Sequence, residues 1–131
     1  MDEQRTIREI ISNPAWSETA AQLCVRAGFK CEYCGLDFLS SPVAYKQIQF
    51  DHIVPKRAGG ADSIENLAAV CRTCNWNWKS RWNPQPKDQP RMSRPELVAA
   101  CKVRVQEERE KAEREVERLL QIIGAAQPIG V

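Results

Sequence analysis

The chain has a single histidine among its 131 residues, no apolar run of membrane-spanning length and a formal net charge of only +2. Each scarcity excludes something. With one imidazole, any histidine chemistry, whether proton transfer or metal ligation, has one candidate, His52. Without roughly 20 consecutive apolar residues no helix spans a bilayer, so no membrane partner is expected. The opening MDEQRTIREIISNP places charges within its first ten positions and has no continuous apolar stretch, which predicts no secretory leader. A near-neutral whole gives little general attraction for polyanions, so any attraction for phosphate must be local. No internal repeat is present.

What the chain does have is an ordinary globular composition, with 43% hydrophobic and 27% charged residues, which by itself names no function. Its length suits one compact domain. Charge is uneven: Lys79, Arg81, Lys87, Arg91 and Arg94 stand against Asp88 alone, whereas residues 1–23 carry four acids and two bases. The basic segment is either a solvated connector or a patch that attracts phosphate. Six cysteines without an export signal point to a reducing compartment, the cytoplasm, where thiols bind metal or stay free.

Asn13 and Pro14 predict a helix start, with PAWSETAAQLCVRAG running to a Gly28 cap and Cys24 as a small buried residue inside it. In YKQIQFDHIV, Ile48, Phe50 and His52 alternate with Gln47, Gln49 and Asp51, as in a half-buried strand with His52 near its end. The loop PKRAGGAD carries Gly59 and Gly60, suited to a sharp excursion of the backbone. A second strand is expected at about 67–70, then a short helix over CRTCNWNWKSRW. Pro84, Pro86, Pro90 and Pro95 predict an extended connector. Ser93 and Glu96 form a capping box that opens a long helix, expected to stop at Gly124. Val98, Cys101, Val105, Ala112, Val116, Leu119 and Ile123 follow helical spacing, which makes Cys101 a packing residue.

Cys31-x-x-Cys34 and Cys71-x-x-Cys74 are two pairs at the spacing that lets one turn present both sulfurs to a tetrahedral Zn²⁺. Four thiolates close the coordination sphere, so such a zinc is structural. Rubredoxin-like iron and disulfides are the competing readings. Lys30 and Arg72 lie beside the pairs and would offset their negative charge.

The pairs enclose 36 residues, among them Asp51 and His52. Here the chain resembles the HNH nuclease family, over about residues 13–82, through CEYCG, DHIVPKRAGG, DSIENL and CRTCNWNWKS. His52 matches the family's first histidine, Asn66 the middle asparagine, and Asn75 takes the place of the last histidine, an HNN variant. The steps of 14 residues from His52 to Asn66 and 9 to Asn75 also resemble the HNH domain of RNA-guided CRISPR nucleases. The resemblance implies an α+β fold, a small zinc-stapled ββα-metal nuclease domain with flanking helices. It also implies DNA as partner and a catalytic divalent ion on Asp51 and Asn75.

The chemistry is intelligible from the residues. Phosphodiester hydrolysis needs a base for water and a Lewis acid for the developing charge. Imidazole, with an ordinary pKa of roughly 6.5, is basic at neutral pH. A carboxylate and an amide oxygen suit Mg²⁺ or Mn²⁺. Asp51 and His52 point to opposite faces of an ideal strand, so they serve one site only where the strand ends or bends. Asn66 is read as the loop organiser. Arg72, Asn75, Lys79 and Trp82 would share one helix face toward phosphate, with Lys56, Arg57 and Arg81 as further nucleic-acid contacts. The expected divisions are 1–83, nuclease domain; 84–94, connector; and 95–131, a helical extension available to a homodimer or a specificity partner. The competing function is a zinc-knuckle module that binds nucleic acid without cutting it.

Overall fold

The computed structural model describes residues 2–126. Two helices come first, α1 (Glu3–Ile11) and α2 (Glu18–Arg26). The helix expected to start at Pro14 starts later, because Ser17 is the residue whose side chain accepts from the Ala20 N–H, while Asn13 and Pro14 form the turn between helices. α1 and α2 close on Ile7, Ala21 and Val25, with Trp16 and Phe29 against them. The chain then leaves α2 through two successive left-handed residues, Gly28 and Phe29.

A short helix α3 (Pro42–Tyr45) leads into strand β1 (Ile48–His52), which pairs antiparallel with β2 (Leu67–Cys71). The register sets Asp51 opposite Ala68 and His52 opposite Leu67. Burial on β1 inverts the simple hydrophobic alternation, for Asp51 is buried and Phe50 is exposed. Between the strands, the loop folds on Asn66, whose side chain accepts from the Val54 N–H and donates to the carbonyls of Val54 and Ala61. Gly60 allows this closure: a Cβ there would sit 1.8 Å from the Val54 oxygen.

After β2 the chain makes a single wide turn over Cys74–Trp78, closed by the Lys79 N–H donating to the Cys74 carbonyl five residues back. Such π-type turns occur frequently at functional sites. The proline-rich segment is not the extended connector expected. Gln85 folds it into a compact loop, its amide donating to the carbonyls of Pro86, Gln89 and Pro90 while its oxygen accepts from the Met92 N–H.

Helix α4 (Arg94–Ala126) opens with the Ser93–Glu96 capping box: the Ser93 N–H donates to Glu96 Oε1 and the Glu96 N–H to Ser93 Oγ. It runs past Gly124, which sits inside it. Its first turns are not a detached extension. Leu97, Cys101 and Val105 lie in the same core as Cys24, Tyr33, Phe38, Ile53 and the β2 residues Ala68–Val70. Arg94 clamps the helix start by donating to Glu32 and to the Leu67 carbonyl. Only beyond this does α4 stand bare, with Val116, Leu119, Leu120, Ile122 and Ile123 each about half exposed or more. The whole is an α+β, four-cysteine ββα domain bearing a long C-terminal helix. No helix among the described residues is long and apolar enough to cross a membrane.

Candidate active site

The two cysteine turns meet. Sγ atoms of Cys31, Cys34, Cys71 and Cys74 all lie within 4.8 Å of one another, with Cys31–Cys74 at 3.8 Å and Cys34–Cys71 at 3.7 Å. Four sulfurs each about 2.3 Å from a tetrahedral Zn²⁺ stand about 3.8 Å apart, so the donor set fits that ion, whereas a disulfide needs about 2.05 Å. The backbone is arranged for thiolates: the Cys34 and Cys71 N–H groups donate to the Cys31 sulfur, and that of Cys74 to the Cys71 sulfur. Hydrogen bonds from Cys34, then Cys71 and Cys74, push the Cys31 pKa down. Burial pushes Cys24 and Cys101 up to about 11, the behaviour of inert packing thiols.

Each cysteine turn also delivers a group to Asp51. Tyr33, between Cys31 and Cys34, donates its hydroxyl to Asp51 Oδ2 at 2.8 Å. Burial, then the charge of Asp51, pushes the Tyr33 pKa well up, which keeps it a donor. Lys79, closing the wide turn that starts at Cys74, places Nζ 2.9 Å from the same oxygen and 3.0 Å from the His52 carbonyl. The Asp51 carboxylate is therefore paired on one side only, and Oδ1 has no protein partner among the described residues.

Lys79 was expected on an exposed face with Arg72, Asn75 and Trp82. It is instead buried to 1% exposure, because the wide turn shifts the phase of every residue beyond it and swings Lys79 inward. Arg72 stays outside, its guanidinium 3.9 Å over the exposed ring of Trp76. Trp82 is half-buried, with Arg104 across its ring. Asn75 donates to Gln49 Oε1 at 2.7 Å. Gln49 precedes Asp51 by two residues and so lies on its face of β1, and the Asn75 oxygen has no protein partner among the described residues.

His52, the last residue of β1, points the other way. Its Nε2 lies 2.5 Å from Asp62 Oδ1, and Lys56 Nζ holds the other oxygen of Asp62 at 3.0 Å. These contacts, first His52 and then Lys56, lower the pKa of Asp62. Arg57 donates to the Arg81 carbonyl, and Lys56, Arg57 and Arg81 are all exposed beside this loop. Reading the residues one by one had not singled out Tyr33, Gln49 and Asp62. Two of them lie inside the segments CEYCG and DSIENL, and Gln49 alternates with Asp51 on the strand, but only contacts made by folding give them a place at the site.

Residues 31–81 match the HNH endonuclease family. Over 51 residues the chain is 41% identical to the CRISPR-associated endonuclease Cas9 of Corynebacterium diphtheriae, a stretch that makes up 38% of this chain and 4% of that protein. The chain thus spans a small fraction of the length of the curated relative it matches. No solved structure gives a significant match.

Proposed function

We propose, from the match of residues 31–81 to the HNH endonuclease family, that the chain is a metal-dependent endonuclease hydrolysing the phosphodiester bonds of DNA. The observation that carries the reading is that three groups gather along one strand, β1. Asp51 Oδ1 and the Asn75 oxygen, both hard and unpaired, belong to one face, and the chain's single imidazole terminates the strand on the other. Asp51 and Asn75 would hold Mg²⁺ or Mn²⁺, which when bound offsets charge on the phosphate and the leaving oxygen.

His52 acts as general base. With Nε2 bonded to Asp62, the neutral ring carries its proton there and leaves Nδ1 to accept one from water. The Asp62 carboxylate keeps that tautomer, and the Lys56 ammonium keeps the carboxylate ionised. Asn66 fixes the loop that carries both. Because β1 ends at His52, a phosphate seated over that end is where the two faces can act on one bond. Exposed Lys56, Arg57, Arg72 and Arg81, with Trp82 at the margin, are the proposed nucleic-acid contacts. A structural Zn²⁺ on the four cysteines holds the two turns together. The bare outer part of α4 is the proposed surface for a second copy or a specificity partner.

Supercoiled plasmid incubated with the protein and Mg²⁺ or Mn²⁺ tests the reading. Nicking or linearisation that Asp51→Asn eliminates supports it. A plasmid retarded in a gel but never cut, with either ion, replaces it by the non-catalytic zinc-knuckle reading.

A further inference from the structure

We infer that Tyr33 and Lys79 are positioning residues through which the two cysteine turns preset Asp51, holding one of its oxygens so that the other faces a divalent ion.

The inference rests on the nuclease reading for what Asp51 does, but its evidence is separate. A carboxylate on a two-stranded sheet has no reason to keep one orientation, and β1 offers no side chain that would fix it. The fixing groups come from outside the strand. Tyr33 has one residue between it and Cys31 and is bonded directly before Cys34, so its ring direction follows from how that turn wraps its sulfurs. Lys79 N–H donates to the carbonyl of Cys74, so its position follows from the second turn. Both converge on Oδ2 of Asp51, at 2.8 and 2.9 Å. Lys79 has no exposed side-chain surface, and Asp51 retains 10%.

A hydrogen bond from Tyr33 and an ion pair with Lys79 on one oxygen of a nearly buried carboxylate do more than neutralise it. They remove its rotation, so an ion at Oδ1 meets an oriented ligand and pays less of the ordering cost. Cys101 of α4 is buried in the same core cluster as Tyr33, which brings α4 into the same arrangement. Zinc is then more than a staple: its turns are the mounting of the catalytic carboxylate.

The test is Mn²⁺ affinity, measured by electron paramagnetic resonance on the zinc-loaded full chain, for wild type, Tyr33→Phe and Tyr45→Phe. Tyr33→Phe keeps the ring and should keep one zinc per chain by metal analysis, while Mn²⁺ binding weakens about tenfold, within the range expected for losing one hydrogen bond to a charged group. Tyr45, exposed and with its ring beside Trp16, should leave the affinity unchanged. A second measurement needs no variant. With tyrosine labelled at Cζ, Mg²⁺ should shift the Tyr33 resonance and leave that of Tyr45, the other of the two tyrosines, in place. Wild-type affinity in a zinc-loaded Tyr33→Phe, or a Tyr33 resonance indifferent to bound Mg²⁺, overturns the inference and leaves the nuclease reading standing. A wild-type chain that binds no Mn²⁺ overturns both.

Discussion

On one face of β1, Asp51 is enclosed by Tyr33 and Lys79, and the elements that enclose it are the cysteine turns and the first turns of α4. On the other, His52 is 29% exposed and its partner Asp62 67% exposed, on a loop that Asn66 ties together. Under the proposed function the two faces divide the work that hydrolysis asks of a site. A metal ligand gains from a fixed position, because disorder there is paid for in affinity; a base must meet water, so burial would defeat it. One strand supplies both because side chains alternate along it. The comparison is sharpest in what each face should lose when disturbed: the Asp51 face its fold, the His52 face its rate.

The largest loss is expected from the cysteines. Cys74→Ser removes one of four ligands, and since metal binding here contributes folding energy, the variant should lose zinc by metal analysis and its cooperative thermal transition. Cys24→Ala should keep full zinc content. A Cys74→Ser protein that melts like wild type would overturn the zinc assignment.

Truncation comes next, and it acts on the core that backs the Asp51 face. Ending the chain after Pro90 removes Leu97, Cys101 and Val105 from the core. At roughly 1.5–3 kcal/mol for each fully buried apolar side chain, the loss rivals a typical total stability of 5–15 kcal/mol. Residues 1–90 should therefore fail to fold, whereas residues 1–110, which keep every buried position of α4, should melt within a few degrees of the full chain. Stable residues 1–90 with zinc in place would show that α4 is dispensable to this face.

His52→Ala inverts the pattern: zinc and melting temperature stay, and divalent-dependent nicking falls by about 10²–10⁴-fold. The pH dependence has a definite sign. A general base accepts its proton in the unprotonated form, so under the proposed mechanism activity should fall, not rise, toward acid. Activity rising toward acid would count against His52 as base.

The same contrast governs how much could be read from sequence. The four cysteines, the two strands and the Ser93–Glu96 cap were legible because each rests on a local rule, a ligand spacing, an alternation or a side chain three residues from its backbone partner. The start of α2 was misplaced because Asn13-Pro14 and Ser17 both satisfy the local rule for a helix start, and only packing of α1 on α2 selects between them. Burial of Lys79 was illegible, since it depends on one wide turn that no residue in NWNWK demands. So was the docking of α4, because a stripe of Leu97, Cys101 and Val105 does not say what it packs against.

The smallest effect belongs to Asp62. Its contacts to His52 and Lys56 lie in water, where an ion pair contributes little to folding, so Asp62→Asn should leave the melting temperature where it is. What it should change is the ring. An asparagine oxygen still accepts from Nε2, so the tautomer survives with a weaker bond, whereas Asp62→Ala leaves the ring free to turn. Nicking rates are expected to fall by a few-fold in Asp62→Asn and by roughly tenfold in Asp62→Ala, with Mn²⁺ affinity equal to wild type in both, because the ion would sit on the other face. The pattern separates an orienting carboxylate from a metal ligand. If Asp62→Ala weakened Mn²⁺ binding and spared the rate at saturating ion, Asp62 would belong to the metal site, and the division of β1 into a fixed face and an accessible one would fail.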